Sequence, residues 1–317
     1  MTSPPRFLWW NGRIVPWIDA TVHLTALGWS TIGAVFEGIK AYWNAEDCEL
    51  YGLQFAEHYE RFLDSMRFQR MEPRWPVEEL VEVSAELLRA NEVREDSYVR
   101  PMAYFGDTTW FSTGLESPTH CFIWTAPFRS GLGSRKTVRA CVSSWTRLSD
   151  TMMPPRIKCL SNYQNSRMAL IEARRQGCDY PILLNHHGKV TEGPASCLFI
   201  VRGGVAVTPS LSSGILESIT RRTVLKLCCE DLKIPVQERE VDRSELYLAE
   251  EVFFCGTGAE IQPVGEVDGY SIGGGEIGPI TTRIEGLFHD LVRGRSRHTE
   301  YRTPVYGSPR TAGTAKS

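Results

Sequence analysis

Short apolar runs and two amphipathic stretches divide the first 126 residues. Apolar residues on both sides of Asn11-Gly12 predict a β-hairpin with a type I′ turn. Apolar residues recur every three or four positions over Ala56–Arg70 and again in the stretch that begins at Pro76, which predicts two helices. Further strands are predicted at Thr21–Leu24, Ile32–Trp43, Ser97–Phe105 and His120–Ala126. This part of the chain therefore indicates helices packed against an antiparallel sheet.

Residues 127–136, PFRSGLGSRK, have no apolar period and contain two glycines and a proline, so we expect an interdomain loop. Beyond the loop, strands are predicted at Val138–Trp145, Tyr180–Asn185, Cys197–Val201 and Glu251–Cys255. Helices are predicted at Tyr163–Gln176, Ile219–Leu232 and Pro279–Arg293. After Arg295 the chain is polar and is expected to be poorly ordered. The prediction is an α+β chain with a small domain (1–126), a loop (127–136), a larger domain (137–295) and a polar tail (296–317).

Composition excludes several classes of partner. The 317 residues carry a formal net charge of −3, which gives no electrostatic reason to expect nucleic acid or an anionic membrane surface. No apolar run approaches the roughly 18 residues needed to span a bilayer. The nine cysteines show no CxxC spacing, which favours reduced thiols and a cytoplasmic location. We expect no metal site, because His186-His187 has no carboxylate or cysteine at ligand spacing.

Lys158 is the first candidate for chemistry. It lies in the stretch 154–166, PPRIKCLSNYQNS, between an isoleucine and a cysteine and just before a predicted helix. An amine held in an apolar site has a lowered pKa and can attack a carbonyl to form a Schiff base.

Four further features complete a pattern. Glu192 lies in a turn before an apolar strand, and Thr220 lies at a helix start, where backbone N–H groups attract phosphate. Gly256-Thr257-Gly258 forms a turn that lets N–H groups approach an anion, and the guanidinium of Arg61 suits a phosphate. Taken alone, Arg61 could equally pair with an acid on its own helix, Glu57 or Asp64. Together these groups are the parts needed to bind pyridoxal 5'-phosphate.

Eight motifs, in order along residues 7–292, resemble the branched-chain aminotransferases of the class IV, fold type IV pyridoxal-phosphate enzymes. They are VFEGIKAY, EHYERFLDSM, SYVRPMAYFGD, VSSW, IKCLSNYQNSRMA, VTEGPASCLF, ESITRR and FFCGTGAEIQPV. The resemblance implies a two-domain α+β fold, with a small sandwich-like α/β N-terminal domain and a larger C-terminal domain with a pseudo-barrel. By the same resemblance Lys158 is the catalytic Schiff-base lysine, Glu192 is the partner of the ring nitrogen, and Tyr163 forms a hydrogen bond with the cofactor's phenolic oxygen. The implied phosphate ligands are Arg61, Ile219, Thr220 and Thr257.

The resemblance also implies substrate contacts. Tyr98 and the backbone at Thr257-Gly258 match positions that receive the α-carboxylate, and Arg100 matches an arginine that meets the distal carboxylate of glutamate. Phe36 and Phe128 would form walls of an apolar side-chain pocket. The chain departs from the family pattern at three places: Thr31 stands where a tyrosine is frequent, Glu217-Ser218 replaces Pro-Gly, and Cys197 replaces an asparagine.

The expected activity is transamination of a branched-chain or other apolar L-amino acid with 2-oxoglutarate, in a homodimer or larger even oligomer. Three alternatives share the fold: a D-amino-acid transaminase, an (R)-amine transaminase and 4-amino-4-deoxychorismate lyase. A more distant alternative is a non-catalytic homologue that binds a ligand.

Overall fold

The computed structural model describes residues 4–24, 27, 29–106 and 117–307 of the chain. These residues form two compact units. The first contains the N-terminal residues up to Ser30, residues 36–130 and the chain from Asp290 onward; the second contains residues 31–35 and 131–289. The boundary at 130/131 lies inside the predicted loop, and the residues after 290 belong to the first unit. Within the described ranges, no helix is long and apolar enough to cross a membrane.

The first unit is built on an eight-stranded sheet. The strands are β1 Phe7–Trp10, β2 Arg13–Pro16, β3 Val35–Phe36, β4 Ile39–Asn44, β5 Glu49–Leu53, β6 Ser97–Phe105, β7 Thr119–Pro127 and β16 Arg302–Pro304. Their order across the sheet is β16-β5-β4-β6-β7-β1-β2, with β3 beside β6. The strands paired along this order run antiparallel, as the sequence predicts.

The first hairpin is confirmed. Trp10 pairs with Arg13, and Asn11 and Gly12 between them have φ values of 48° and 93°, as a type I′ turn requires. The predicted strand at Thr21–Leu24 is wrong, since those residues are not in a strand. The predicted strand at Ile32–Trp43 is divided, because a short helix, α1 (Trp29–Ile32), precedes β3 and β4.

Two helices cover the sheet of this unit. α2 (Phe55–Phe68) and α3 (Val77–Ala90) lie within two residues of the predicted bounds. Each helix buries one apolar stripe and exposes its charged side, which is the origin of the periodic pattern. The stripes are formed by Phe55, Tyr59, Phe62 and Met66 of α2 and by Leu80, Leu87 and Leu88 of α3.

The C-terminal segment is ordered by a buried carboxylate. Strand β16 pairs with β5, and Glu49 accepts hydrogen bonds from the amides of Val305, Tyr306 and Gly307 at 2.7–2.9 Å. The expectation of poor order after Arg295 is therefore wrong for this part of the segment, and residues 308–317 lie outside the described ranges. The polar composition hid the strand, because edge strands can be polar and short.

The second unit contains a mixed eight-stranded sheet. Its strands are β8 Val138–Thr146, β9 Tyr180–Leu184, β10 Cys197–Arg202, β11 Val205–Pro209, β12 Val236–Arg239, β13 Glu251–Gly256, β14 Glu260–Val267 and β15 Tyr270–Ser271. Their order is β12-β11-β10-β13-β14-β8-β9, with β15 beside β14. Its helices are α4 Tyr163–Arg175, α5 Ile219–Lys226, α6 Arg243–Tyr247 and, up to residue 289, α7 Pro279–Val292. The predicted helix at Ile219–Leu232 is confirmed as α5 followed by a π-helical turn, Leu227–Leu232.

The central strands β10 and β13 are buried on both faces. Leu198 and Phe254 belong to the main apolar cluster on one face, while Phe199 stacks on Phe253 with ring centroids 5.0 Å apart. This arrangement explains why CLFIV and VFFC read as continuous apolar runs without alternation. The ends of these two strands carry residues of the candidate site.

Candidate active site

The backbone around Lys158 is held in place on both sides. The amide of Leu160 donates to the carbonyl of Ala34 at 2.7 Å. The side-chain amide of Asn162 donates to the carbonyls of Pro154 and Ile157, each at 3.1 Å. These bonds fix the direction in which the Lys158 side chain leaves the backbone, although the segment belongs to no long helix or strand.

Lys158 reaches Tyr163, the first residue of α4. Its Nζ donates to the Tyr163 hydroxyl at 2.8 Å, and both side chains are half-buried. A short 3₁₀ turn, Leu160–Asn162, lies between the two residues and brings their side chains within hydrogen-bonding distance although they are five positions apart. The two side chains that the resemblance assigns to the aldehyde and phenolic oxygen of the cofactor therefore lie side by side.

Glu192 is buried in an ion pair with Arg147. Oε1 of Glu192 lies 2.5 Å from Nη2 of Arg147, and each side chain is only 6% exposed. Oε2 accepts a hydrogen bond from the amide of Leu216 at 3.2 Å. Burial of a lone carboxylate is costly, and the guanidinium of Arg147 supplies the partner that this buried acid needs. Sequence reasoning missed Arg147, which lies two residues beyond the VSSW motif.

Cys197 is a third neighbour of Glu192. Its thiol donates to Oε2 of Glu192 and to the carbonyl of Leu216, each at 3.7 Å. Burial, with a smaller contribution from the Glu192 charge, raises the pKa of Cys197. The thiol is therefore protonated at neutral pH and acts as a weak donor toward the carboxylate.

Helix α5 begins beside Glu192. Ser218 caps the helix, since its side chain accepts from the amide of Arg221 at 3.2 Å. Ile219 and Thr220 are buried in the first turn, where the backbone N–H groups have no intrahelical acceptors. Glu217, which departs from the family pattern, instead forms an exposed ion pair with Arg156.

The turn that carries Thr257 and Gly258 lies beside the segment after Glu192. It connects β13 to β14, and Gly256 pairs with Glu260 at its base. A Cβ on Gly256 would lie 3.2 Å from the carbonyl oxygen of Ala195, so a glycine permits the close approach. Within the second unit, the Glu192 turn thus lies close both to the α5 N-terminus and to the 257–259 turn.

Arg61 is held by Glu37 in the first unit. Its Nε and Nη2 donate to the two carboxylate oxygens at 2.6 and 2.9 Å, and Glu37 is wholly buried. Nδ1 of His58 lies 2.8 Å from the same carboxylate. On the same helix, Asp64 forms an ion pair with Arg67. The guanidinium is therefore oriented by a residue of the VFEGIKAY motif.

The predicted substrate residues of the first unit share one face of its sheet. Tyr98 and Arg100 alternate along β6 with fully buried neighbours. The Arg100 guanidinium lies 4.5 Å from the Phe36 ring centroid, and the Tyr98 and Phe128 rings are 5.6 Å apart. A Cβ on Gly38 would overlap the Tyr98 hydroxyl, so this face requires a glycine there.

Lys40 on the same face was missed. It pairs with Tyr98 across β4 and β6, is buried, and places its ammonium 4.6 Å from the Phe128 ring centroid. A lysine in the middle of an apolar strand was the available signal. This face therefore combines aromatic surface with two cationic groups.

The donor set fits pyridoxal 5'-phosphate. In the second unit an amine lies beside a phenol, and a buried carboxylate that is paired with an arginine lies beside the N-terminus of a helix. These groups correspond to the cofactor's aldehyde, phenolic oxygen, ring nitrogen and phosphate. Within the second unit, the residues that fit the cofactor are Lys158, Tyr163, Glu192, Ile219, Thr220 and Thr257.

Comparison with known proteins identifies the class. The family model for amino-transferase class IV matches residues 34–267, and the chain belongs to this family. Among individual proteins, the chain is similar to the probable branched-chain-amino-acid aminotransferase of Aquifex aeolicus, with 44% identity over 95% of this chain and 97% of that protein.

Two solved structures are also similar. The branched-chain amino acid aminotransferase of Thermobaculum terrenum in its PLP-form shares 45% identity over 96% of this chain and 99% of that one, with a TM-score of 0.93. The T.th. branched-chain amino acid aminotransferase complexed with N-(5'-phosphopyridoxyl)-L-glutamate shares 35% identity over 96% and 100% of the two chains, with a TM-score of 0.89. The predicted fold type is confirmed by these neighbours.

Proposed function

We propose that this enzyme binds pyridoxal 5'-phosphate and transfers the amino group of a branched-chain or other apolar L-amino acid to 2-oxoglutarate. The observation that carries the proposal is the pairing of Lys158 with Tyr163 in the same unit as the buried, Arg147-paired Glu192. Relatives with this activity in their names match nearly the whole chain, and one neighbour holds a phosphopyridoxyl-glutamate adduct.

When bound, the cofactor supplies an aldehyde that takes up the amino group and a ring that withdraws electrons from the substrate Cα. Lys158 is the base of the reaction: its Nζ accepts the proton from Cα. The Tyr163 hydroxyl, 2.8 Å away, orients that amine. A half-buried lysine suits this task, because its amine can change partners without leaving the site.

Glu192 holds a proton on the ring nitrogen. A carboxylate can do so only while it is ionised, and the Arg147 guanidinium maintains that charge in a buried position. Protonation at the nitrogen matters because a neutral ring would withdraw electrons less strongly. Arg147 is thus a supporting residue for the acid that tunes the chemistry.

The proposed phosphate ligands are backbone amides, one hydroxyl and one guanidinium. The first-turn amides of α5 at Ile219 and Thr220 and the hydroxyl of Thr257 donate hydrogen bonds. Arg61, fixed by Glu37, supplies the positive charge.

Each unit offers its own groups for substrate recognition: the sheet face in the first unit and the 257–258 turn in the second. Phe36 and Phe128 offer apolar surface to a branched side chain. The Tyr98 hydroxyl and the amides at Thr257-Gly258 receive the α-carboxylate, and Arg100 receives the distal carboxylate of glutamate. This combination suits both substrates, because the apolar wall accommodates the branched side chain of the donor and the cationic groups bind the distal carboxylate of glutamate.

A half-reaction screen tests the proposal. Purified enzyme is mixed with L-leucine, D-leucine or the matching amine, and the visible absorbance of the bound cofactor is followed. We expect L-leucine to convert it fastest. Faster conversion by D-leucine or by the amine would favour the alternative transaminases, and pyruvate release from aminodeoxychorismate without 2-oxoglutarate would favour the lyase.

Lys158→Ala is the decisive variant for this screen. It should lose the visible absorbance and at least about 10⁴-fold in turnover, since a general base and covalent anchor are removed together. Lys136→Ala, an exposed lysine of the 127–136 loop, is the matched control and should behave like the parent enzyme. Undiminished turnover of Lys158→Ala would contradict the proposal.

We also propose that the enzyme is a homodimer or a larger even oligomer. In the first unit Ile18 is 80% exposed and Leu24 is 79% exposed, with Val22 between them also exposed. A row of exposed apolar residues in a surface segment suits burial against a second copy. Light scattering on the purified protein tests this, and Ile18→Asp with Leu24→Asp should shift the mass toward a monomer.

A cytoplasmic location belongs to the same proposal. All nine cysteines are free thiols in the structure, which suits a reducing compartment. Fractionation of cells that express the tagged protein tests it.

A further inference from the structure

The second half of the predicted linker is joined to strand β14 by a buried ion pair. Nη2 of Arg135 lies 2.6 Å from Oε2 of Glu260, with the two side chains 15% and 0% exposed. The amide of Gly131 donates to the same oxygen at 2.9 Å. A fully buried carboxylate requires this compensation, because an isolated buried charge costs several kcal/mol.

Three further bonds fix the same loop. Nη1 of Arg135 donates to Oε1 of Gln262 at 2.6 Å, and the side-chain amide of Gln262 donates to the carbonyl of Lys136 at 2.9 Å. The amide of Gly133 donates to Glu285 at 2.9 Å. A segment whose composition is typical of a linker is thus an ordered part of the second unit from residue 131.

Glu260 is also the residue that closes the 257–259 turn. It pairs with Gly256 across the base of the hairpin, and its φ is 52°. The left-handed region is uncommon for residues other than glycine and costs energy, so neighbouring contacts must hold Glu260 there. The hydrogen bonds that its side chain accepts from Arg135 and Gly131 contribute to this restraint.

We propose that Arg135 is a positioning residue for the turn that carries Thr257 and Gly258. The inference rests on the proposed function, in which this turn binds the phosphate and the α-carboxylate. Without the guanidinium, the Glu260 carboxylate has to move toward water, and the backbone that closes the turn moves with it. Anion affinity is then lost, while proton transfer at Lys158 is not directly affected.

The test compares Arg135→Met and Arg135→Lys with a matched control, Arg129→Ala, an exposed arginine of the same loop. Three quantities are measured: the Kd for pyridoxal phosphate, the Kd of the holoenzyme for the unreactive carboxylate 4-methylpentanoate, and KM and kcat for L-leucine. R135M should weaken both affinities and raise KM by about tenfold, with kcat within about threefold of the parent. R135K should recover part of the loss because it restores the charge without the fork, and R129A should match the parent.

A lower melting temperature with both Kd values within about twofold of the parent would overturn the proposal, because the ion pair would then be structural only. A double variant, R135M with Glu260→Gln, removes both charges and should bind 4-methylpentanoate more tightly than R135M alone; weaker binding would also overturn it.

Limited trypsin digestion provides a readout that does not depend on activity. R135M should be cleaved after Lys136 at least about tenfold faster than the parent, because local opening exposes the loop. Cleavage of R135M at the parent rate would overturn the proposal. If the parent holoenzyme shows no half-reaction with any amino acid, the proposed function fails while the digestion result still reports on the ion pair.

Discussion

Two buried ion pairs each join an arginine to a glutamate, but the two residue types have opposite roles in the two pairs. In the proposed function, Arg61 of the first unit is the functional group and its ion-pair partner Glu37 supports it, whereas Glu192 of the second unit is the functional group and its partner Arg147 supports it. In both pairs the supporting residue is as buried as, or more buried than, the residue it holds. A site of this kind therefore needs residues of the opposite charge behind its functional groups.

The pairs differ in how well the functional residue's charge is still stabilised when its ion-pair partner is removed. Arg61 is 13% exposed, so its guanidinium can turn toward water if Glu37 is removed. Glu192 is enclosed, and among the residues that the structure describes its remaining partners without Arg147 are two dipoles, the Leu216 amide and the Cys197 thiol. The second pair is thus the more vulnerable one.

The largest effect is expected for Arg147→Met. Removing one partner of a buried pair leaves an uncompensated charge and costs about 3–5 kcal/mol. Glu192 can then no longer hold its charge inside the protein, and affinity for pyridoxal phosphate should fall at least about 100-fold. Urea unfolding and fluorescence titration measure the two effects, with Arg147→Lys as the charge-retaining control. A free energy of unfolding for Arg147→Met within about 1 kcal/mol of the parent would contradict the claim that the Glu192–Arg147 pair is the more vulnerable one.

A smaller effect is expected for Glu37→Gln. The variant keeps one acceptor for Arg61 and allows the guanidinium to reach water, so we expect about 1–3 kcal/mol of destabilisation. Affinity for pyridoxal phosphate should fall about tenfold, while affinity for pyridoxal, which lacks the phosphate, should not change. Glu60→Gln, at an exposed acid next to Arg61 on helix α2, is the control. Equal losses for both ligands would show that Glu37 does not act through the phosphate.

The difference between functional and supporting residues also explains which parts of the site could be predicted from the sequence. Lys158 and Glu192 lie in motifs that could be read directly, and α2, α3, α4 and the strands β6, β8 and β13 follow from the apolar pattern alone. Arg147 and Lys40 escaped because a single charged residue within or after a strand is most simply interpreted as solvated. Glu37 lay inside a motif, yet nothing local shows that it faces a helix residue twenty-four positions on.

Missed elements have a related cause. The edge strands β12 and β16 are short and polar, since only one side of an edge strand is paired and little of it is buried. The divided strand at Ile32–Trp43 and the absent strand at Thr21–Leu24 show the reverse error, in which apolar residues serve a surface or a turn. Apolar content predicts burial reliably where it recurs with a period, or where it forms a continuous run in a central strand such as β10 or β13.

A third carboxylate sharpens the comparison through pH. Burial alone would raise the pKa of Asp96, but hydrogen bonds from Arg293 and from the amides of Trp43 and Ser130 outweigh it and lower the pKa. A lowered folded-state pKa stabilises the protein above the unfolded value of about 3.9, and this stabilisation is lost as pH falls through the folded value. The difference in melting temperature between the parent and Asp96→Asn should therefore be constant near neutral pH and shrink below about pH 4. A difference that grows with acid would contradict the assignment.

The smallest effect is expected at Cys197. Cys197→Ala removes a weak donor from Glu192 and should lower cofactor affinity by about two- to fivefold, which corresponds to about 0.5–1 kcal/mol. Cys197→Ser keeps a donor and should lose less. Cofactor titration of the two variants decides the matter, and a larger loss in Cys197→Ser than in Cys197→Ala would exclude the thiol as a donor to Glu192.

The central claim, that the amine of Lys158 carries the cofactor, has one direct test. The holoenzyme is reduced with borohydride, digested and mapped by mass spectrometry. The account predicts a phosphopyridoxyl group attached to the peptide that contains Lys158. Attachment at another lysine, or no attached group after reduction, would contradict it.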